Sequence, residues 1–90
     1  MTREKIREAL KAVLGRLVPD VDSDALAPEA SLREQLAADS MDLLNFVAAL
    51  HDELGVDVPE QDYRKIDTLD GCVEYLAAAI AARTAARPAR

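Results

Sequence analysis

Residues 39–55 of the chain read DSMDLLNFVAALHDELG, and this run contains the start, the apolar row and the end of one helix. Asp39 is a typical N-cap residue, because its carboxylate can accept hydrogen bonds from the free backbone N–H groups of the first turn. Apolar residues then recur at spacings of three and four, which places them on one helix face. The row is Leu43, Val47, Leu50 and Leu54, with Phe46 beside it. Gly55 follows as a common helix-ending residue.

Two further amphipathic segments flank this helix. Their apolar rows are Ile6, Leu10, Val13 and Leu17 in the first, and Leu69, Val73, Leu76 and Ile80 in the last. Pro19 should end the first helix, since the residue before a proline avoids helical backbone, and Thr68 should cap the last. Between them we expect a loop over residues 19–39 and a short helical segment over Glu60–Ile66. Within the loop, Ser31–Glu34 fits a capping box and suggests one short turn of helix. The predicted fold class is all-α: a four-helix bundle with three long helices, one short helix and a long first loop.

Length and composition exclude several classes of protein. Ninety residues build one domain, which we place over residues 1–80, and the Ala/Arg-rich tail over residues 81–90 is expected to fray. A membrane span needs about 20 apolar residues in a row, and the sequence has no such run. With 3% aromatic residues and an acidic balance, the chain lacks the stacking rings and basic stripes that nucleic acid requires. We expect a cytoplasmic monomer that binds neither membranes nor nucleic acid.

The acidic surplus is concentrated in one third of the chain. The formal net charge is −6, and residues 39–67 hold eight acids and two bases, which accounts for all of it. Such a surplus is explained equally well by solubility and by an acidic surface that attracts a basic partner. Charge alone leaves both interpretations open.

No catalytic or metal-binding constellation is evident in the sequence. His51 lies within a helix, without a nearby cysteine or an evident Ser-His-Asp order, and is interpreted as a polar surface residue. Cys72 is the single cysteine and is interpreted as a core or boundary residue, because no resolving cysteine or base accompanies it. We therefore predict no enzyme activity and no metal ion.

Ser40 is the residue that indicates a chemistry. It occupies the first helical position after Asp39, where free N–H groups and the positive end of the helix dipole favour a phosphate by about 0.3–1 kcal/mol. A hydroxyl between a carboxylate and the hydrophobic Met41 could be the acceptor of an enzyme-delivered modification. On these residues alone, an unmodified serine in the first turn of a helix is the favoured interpretation.

A longer match extends beyond this serine. Residues 36–42, LAADSMD, followed by the amphipathic helix, resemble the phosphopantetheine attachment motif of the acyl carrier protein family, usually written Asp-Ser-Leu. The resemblance continues through residues 50–59, 66–69 and 73–76, and covers about residues 3–80. It implies that Ser40 carries a 4′-phosphopantetheine arm, installed from coenzyme A by a phosphopantetheinyl transferase. It also implies that Asp39 helps to orient the serine and the transferase's metal site, and that the reactive thiol belongs to the arm.

The same resemblance implies partner enzymes that dock on this helix through basic patches. A second stripe, distinct from the apolar row, carries the predicted docking residues Met41, Leu44, Asn45 and Ala48, with Asp42 and Asp52 flanking it. A small apolar patch rimmed by acids suits fast and transient binding. The alternative is that the stripe simply widens the buried face of the helix.

Several positions depart from the usual pattern of the family. Ala37 stands in place of a glycine and Met41 in place of a leucine, while Asn45 and His51 replace acids that are common in fatty-acid carriers. We predict a specialised free-standing carrier, loaded by an acyl- or aminoacyl-ligase and used by downstream acyl-processing enzymes. Small clefts between its helices could hold a short chain. One alternative is an unmodified carrier-like module with a structural or regulatory role, and catalysis by His51 or Cys72 is another.

Overall fold

The computed structural model describes residues 2–86. Within these residues the fold is all-helical and free of strands, with four α-helices: α1 Arg3–Leu17, α2 Leu32–Leu36, α3 Ser40–Leu54 and α4 Leu69–Ala86. Two 3₁₀ segments, Ser23–Ala25 and Glu60–Ile66, lie in the connections. The predicted all-α bundle with three long helices is confirmed, and the predicted second long helix is α3.

The core is centred on α1, which packs against both α3 and α4. Ile6 and Leu10 of α1 are fully buried, as are Leu50 of α3 and Leu76 of α4. The connection after α3 adds further buried apolar side chains at Val56, Val58 and Ile66. Burial of such side chains is the main source of stability for a domain of this size.

All three predicted apolar rows are buried less completely than the spacing suggested, and in the last of them Ile80 is only partly buried. Leu17 is 40% exposed, and the last buried residue of α1 is Leu14. In α3, Phe46 and Leu50 are buried, whereas the other members of the predicted row, Leu43, Val47 and Leu54, are only partly buried. The physical reason is that α3 packs chiefly on α1, so only the narrow strip of α3 that faces α1 is buried.

The long first connection is fixed to the start of α4 by backbone hydrogen bonds. The N–H of Leu32 donates to the carbonyl of Asp67, and the N–H of Asp70 donates to the carbonyl of Pro28 at 3.0 Å. The Asp67 carboxylate also accepts from the N–H of Arg33 at 3.2 Å. These bonds hold α2 in place beside the start of α3. Of the predicted capping box, the structure shows the bond in which Ser31 accepts from the N–H of Glu34 at 3.3 Å.

Helix α4 includes part of the segment that the sequence assigned to a tail. Its helical backbone continues through Ala86, six residues beyond the predicted domain boundary at residue 80. The remaining residues of the predicted tail, 87–90, lie outside the described residues, so fraying there stays a prediction.

Across residues 2–86, no helix combines the length and apolarity that crossing a membrane would require.

Candidate functional site

Ser40 is the first residue of α3, and a capping box closes the helix start around it. Asp39 adopts extended backbone, and its Oδ1 accepts from the N–H of Asp42 at 2.9 Å. In return, Oδ2 of Asp42 accepts from the N–H of Asp39 at 3.1 Å. This capping box fixes the direction in which the chain enters the helix. Ser40 itself is exposed, so its hydroxyl is accessible at the positive end of the helix dipole.

The turn before Ser40 depends on Ala37. This residue ends α2 in the left-handed conformation, with φ 50° and ψ 40°, and is the only non-glycine residue with positive φ in the described chain. The N–H of Ala38 then donates to the carbonyl of Arg33 at 2.9 Å, which completes the helix end. The left-handed residue explains why the family's motif usually has a glycine here, since glycine adopts this conformation without strain.

The second stripe of α3 faces solvent. Met41 is 63% exposed and Leu44 is 48% exposed, and the side chains of Asn45 and Ala48 are exposed as well. The alternative interpretation, that this stripe widens the buried face, is therefore wrong. The exposed apolar stripe has the accessibility that docking requires, and its docking role stays a prediction.

The two acids predicted to flank the stripe are placed differently. Asp52 has 83% of its side chain exposed and is bonded to no lysine or arginine in residues 2–86. Asp42 is also exposed but belongs to the capping box at the start of α3. A substitution of Asp42 therefore changes the helix start as well as the surface charge, so Asp52 is the better position at which to test docking.

Neither of the two candidate catalytic residues has a catalytic environment. His51 is exposed, with Nε2 at 3.3 Å from Oδ1 of Asp57 and Nδ1 at 3.9 Å from Oδ1 of Asp52. Cys72 is fully buried, and burial raises the pKa of its thiol to about 12. A thiol with that pKa is protonated at neutral pH and is not a nucleophile. The described residues hold no group of three histidine, cysteine or acidic side chains that could bind a metal ion.

An apolar cavity of about 70 Å³ lies beside the start of α3, between α1 and α2. Its walls are mostly apolar side chains from these three helices and their connections, among them Leu14, Leu36, Leu43, Phe46 and Ile66. Ala38 and Asp42, which lie on either side of Ser40 in the sequence, also line it. The cavity is thus close to the helix end at which a group on Ser40 would begin.

Sequence reasoning missed Leu17 as a surface residue. Leu17 lines both the cavity and a separate groove between α1 and α3, and its neighbours across the interface include Asn45 in the cavity and Ala49 in the groove. Leu17 is 40% exposed at the end of α1. The spacing of Leu17 gives no indication of this, because exposure depends on which residues lie opposite on another helix.

The residues at the start of α3 fit a phosphopantetheine group. An exposed hydroxyl at a helix N-terminus places an attached phosphodiester beside the free N–H groups of the first turn, and the carboxylates of Asp39 and Asp42 are held by their capping hydrogen bonds.

Comparison with known proteins agrees with this fit. The family described as "Phosphopantetheine attachment site" matches residues 4–76. An acyl carrier protein of Rubrobacter xylanophilus is 34% identical over 76 residues, which cover 84% of this chain and 93% of that protein. An acyl carrier protein of Thermosynechococcus vestitus is 33% identical over 82 residues, covering 91% and 100%. The solved structure of an acyl carrier protein from Enterococcus faecalis superposes with a TM-score of 0.69 at 31% identity, covering 88% of this chain and 99% of that one.

Fold and site together define a phosphopantetheine-binding carrier domain rather than an enzyme. The chain belongs to the acyl carrier protein family, so its partners include a phosphopantetheinyl transferase and acyl-processing enzymes.

Proposed function

We propose that Ser40 is the residue that carries the 4′-phosphopantetheine arm, and that the protein shuttles acyl or aminoacyl thioesters between enzymes of a specialised pathway in the cytoplasm. The observation that carries this proposal is the exposed Ser40 hydroxyl at the capped start of α3. When bound, the arm supplies a thiol that holds the cargo as a thioester. The chain's own residues position the arm, offer the docking surface and leave room for the cargo.

Asp39 has two roles in this proposal. Its carboxylate caps α3, which holds Ser40 in position, and its negative charge helps to orient the serine and the transferase's metal site. The docking surface consists of Met41, Leu44, Asn45 and Ala48, with Asp42 and Asp52 at its edges. Their exposure supports this role.

Two positions of the acidic face, which carry uncharged residues instead of acids, support the proposal that the partners lie outside core fatty-acid synthesis. Asn45 and His51 are both exposed, so a partner meets an amide and an imidazole at positions where fatty-acid carriers commonly present acids. The cavity supports a short cargo: at about 70 Å³ it is smaller than the 150 Å³ cavities known to bind benzene. A long acyl chain would require the helices to separate.

The test is modification of the purified protein by a broad-specificity phosphopantetheinyl transferase with coenzyme A, followed by intact mass spectrometry. The wild type should gain one arm, and Ser40→Ala should gain none. Ser23→Ala is the matched control, because Ser23 lies in the first 3₁₀ segment and its loss should leave the modification intact. An unmodified wild type with several transferases, or an arm on Ser40→Ala, would refute the proposal.

Asp39→Asn separates the two roles of Asp39 in the same assay. Asparagine caps helices about as well as aspartate, so the fold should be preserved while the charge is removed. We expect slower modification of Asp39→Asn with an unchanged melting temperature. An unchanged rate would mean that Asp39 acts through capping alone.

A further inference from the structure

Residues 2–86 contain two sulfur atoms, and their environments are opposite. Met41 is 63% exposed, more than any other large hydrophobic side chain in this range, and it lies in the first turn of α3. Cys72 is fully buried, and burial raises the pKa of its thiol to about 12. An oxidant attacks cysteine as the thiolate, whereas it attacks methionine as the neutral thioether. Met41 therefore carries the sulfur atom that a dissolved oxidant can reach.

Oxidation of Met41 would leave the fold in place. Met41 is neither part of the buried core nor packed against it, and it does not line the cavity beside Ser40. An oxygen atom added to its sulfur therefore displaces no core side chain. The helix start also stays closed, because its capping bonds join Asp39 and Asp42 and involve no atom of Met41.

The polarity of the Met41 side chain affects the surface around the hydroxyl that carries the arm, because Met41 follows Ser40 directly. As a thioether it is the most exposed apolar side chain of the second stripe of α3. A sulfoxide at the same place is polar, and its oxygen binds water. Removing that water costs free energy, so an enzyme that covers Ser40 would bind the sulfoxide form less tightly.

The charge around Met41 favours one class of oxidant. Asp39 and Asp42 lie on either side of the Ser40–Met41 pair, and residues 39–67 hold eight acids and two bases. Such a surface repels anionic oxidants, whereas hydrogen peroxide is uncharged at neutral pH and approaches without this repulsion. A neutral peroxide is therefore the oxidant that suits this site.

We propose that Met41 is a site of reversible oxidation by hydrogen peroxide, and that its sulfoxide form accepts the phosphopantetheine arm on Ser40 more slowly. The proposal rests on modification at Ser40. A lone pair of the Met41 sulfur attacks one peroxide oxygen, so the S–O bond forms as the O–O bond breaks and water leaves. Sulfur loses two electrons and the peroxide gains them. A methionine sulfoxide reductase with a dithiol reverses the step: the dithiol becomes a disulfide and the oxygen leaves as water.

The test starts from the unmodified full-length protein treated with hydrogen peroxide, which is removed before transferase and coenzyme A are added. Intact mass should show added oxygen, and tandem mass spectrometry should place an oxygen atom on Met41. We expect the kcat/KM for arm transfer to fall about tenfold relative to the untreated sample, as the loss of one apolar contact implies. Methionine sulfoxide reductases with dithiothreitol should restore it.

Met41→Leu is the matched control, because leucine keeps an apolar, helix-forming side chain at this position without a sulfur atom, while Met1 and Cys72 remain. Compared with its own untreated sample, this variant should show the same rate after peroxide. Met41→Gln places a polar side chain there without oxidation. It should be slow from the start, and neither peroxide nor the reductases should change its rate.

The proposal would be overturned by a Met41 that stays free of oxygen, by an unchanged rate in the oxidised wild type, or by an equal loss in Met41→Leu. A Met41→Gln variant as fast as untreated wild type would also overturn it. So would a loss of helical circular dichroism in the oxidised wild type, because slower transfer would then report unfolding. An untreated wild type that accepts no arm would instead refute the function proposed for Ser40.

Discussion

Ala37 adopts a backbone conformation that strains any residue with a β-carbon. The left-handed region brings the β-carbon close to the following carbonyl oxygen, at a cost of about 1–2 kcal/mol. The structure maintains this conformation because the N–H of Ala37 donates to the carbonyl of Glu34 at 3.3 Å and so closes α2. The strained residue lies three positions before Ser40, in the turn that directs the chain into α3.

Ala37→Gly should therefore stabilise the protein. Relief of the left-handed strain outweighs the extra conformational entropy that glycine gives the unfolded chain, and we expect a net gain of about 0.5–1 kcal/mol in the free energy of unfolding. Urea denaturation followed by circular dichroism measures it. Ala38→Gly is the control, because Ala38 has no positive φ and its replacement should destabilise the protein by a similar amount. A loss of stability in Ala37→Gly would contradict this account of the turn.

Residues whose role depends on near neighbours in the chain were predicted well. Asp39, Gly55 and Thr68 act at helix ends through backbone groups within four residues, so the local sequence contains the whole interaction. The position of Ser40 follows from the same local pattern. The exposure of Leu17 could not be predicted in this way, because it depends on how the end of α1 packs against α3.

At the level of elements, one side-chain hydrogen bond among the described residues joins the second 3₁₀ segment to α4, in addition to the packing of the buried Ile66. The hydroxyl of Tyr75 donates to Oδ2 of Asp62 at 2.8 Å. This bond lowers the pKa of the Asp62 carboxyl, opposed in part by desolvation, while Lys65 at 3.3 Å also lowers it. Because the folded state favours the charged carboxylate, the bond stabilises the fold above the ordinary pKa of about 4. The stabilisation is lost as the pH falls through the lowered pKa of Asp62.

Tyr75→Phe should lower the midpoint of thermal unfolding at pH 7, and the difference from wild type should shrink as the pH falls below about 4. The physical reason is that a protonated Asp62 no longer gains from the hydroxyl donor. Melting curves between pH 7 and pH 3 measure the effect. Tyr63→Phe removes a hydroxyl from the same segment and should show no such convergence, and a pH-independent difference for Tyr75→Phe would count against the charged hydrogen bond.

The type and order of the long helices could be predicted from the sequence, since each has apolar residues at helical spacing and an identifiable start. The degree of burial within α3 could not, because it depends on how α3 packs against α1. The attachment of the long first loop to the start of α4 could not be predicted either. It rests on backbone bonds between residues far apart in sequence, such as Asp70 to Pro28, which no local pattern indicates.

At the level of the whole molecule, four of the five basic residues of α1 are paired with acids of other elements. Arg3 pairs with Glu74, Arg7 with Asp70, Lys11 with Asp24, and Arg16 with Glu53, at 2.6–2.8 Å. Surface pairs of this kind add little stability. The pairs matter more for the distribution of charge. Among the eight acids of residues 39–67, only Glu53 is paired with a basic residue of α1. The acidic surplus of that segment therefore remains available to basic partners.

A further basic residue, Arg83 of α4, contacts the C-terminal end of α3. Nη1 of Arg83 on α4 donates to the carbonyls of Leu54 at 3.2 Å and Gly55 at 3.0 Å, at the C-terminal end of α3. A cation at this position satisfies free carbonyls and interacts favourably with the helix dipole. Gly55 has φ 66°, and a β-carbon there would lie 2.8 Å from the same Nη1.

Arg83→Ala should lower the free energy of unfolding by about 0.5–1 kcal/mol and increase hydrogen exchange in the last turn of α3. Arg64→Ala removes the same charge from a side chain without an ion pair among the described residues, and should have little effect. Urea denaturation and hydrogen exchange with mass spectrometry measure the two quantities. Equal results for the two variants would show that the contact at α3 contributes nothing.

The Arg83 contact also determines where this module can be cut for use in hybrid assemblies. The family match ends at residue 76 and the apolar row of α4 ends at Ile80, so either position would look like a natural place for a splice. A module transplanted with either boundary would retain Ser40 and the core but lose the cation that closes α3. A chain that ends at residue 76 or 80 lacks Arg83, although both positions lie more than 35 residues after Ser40. Such a cut would thus loosen the C-terminal end of α3, the helix that begins at Ser40.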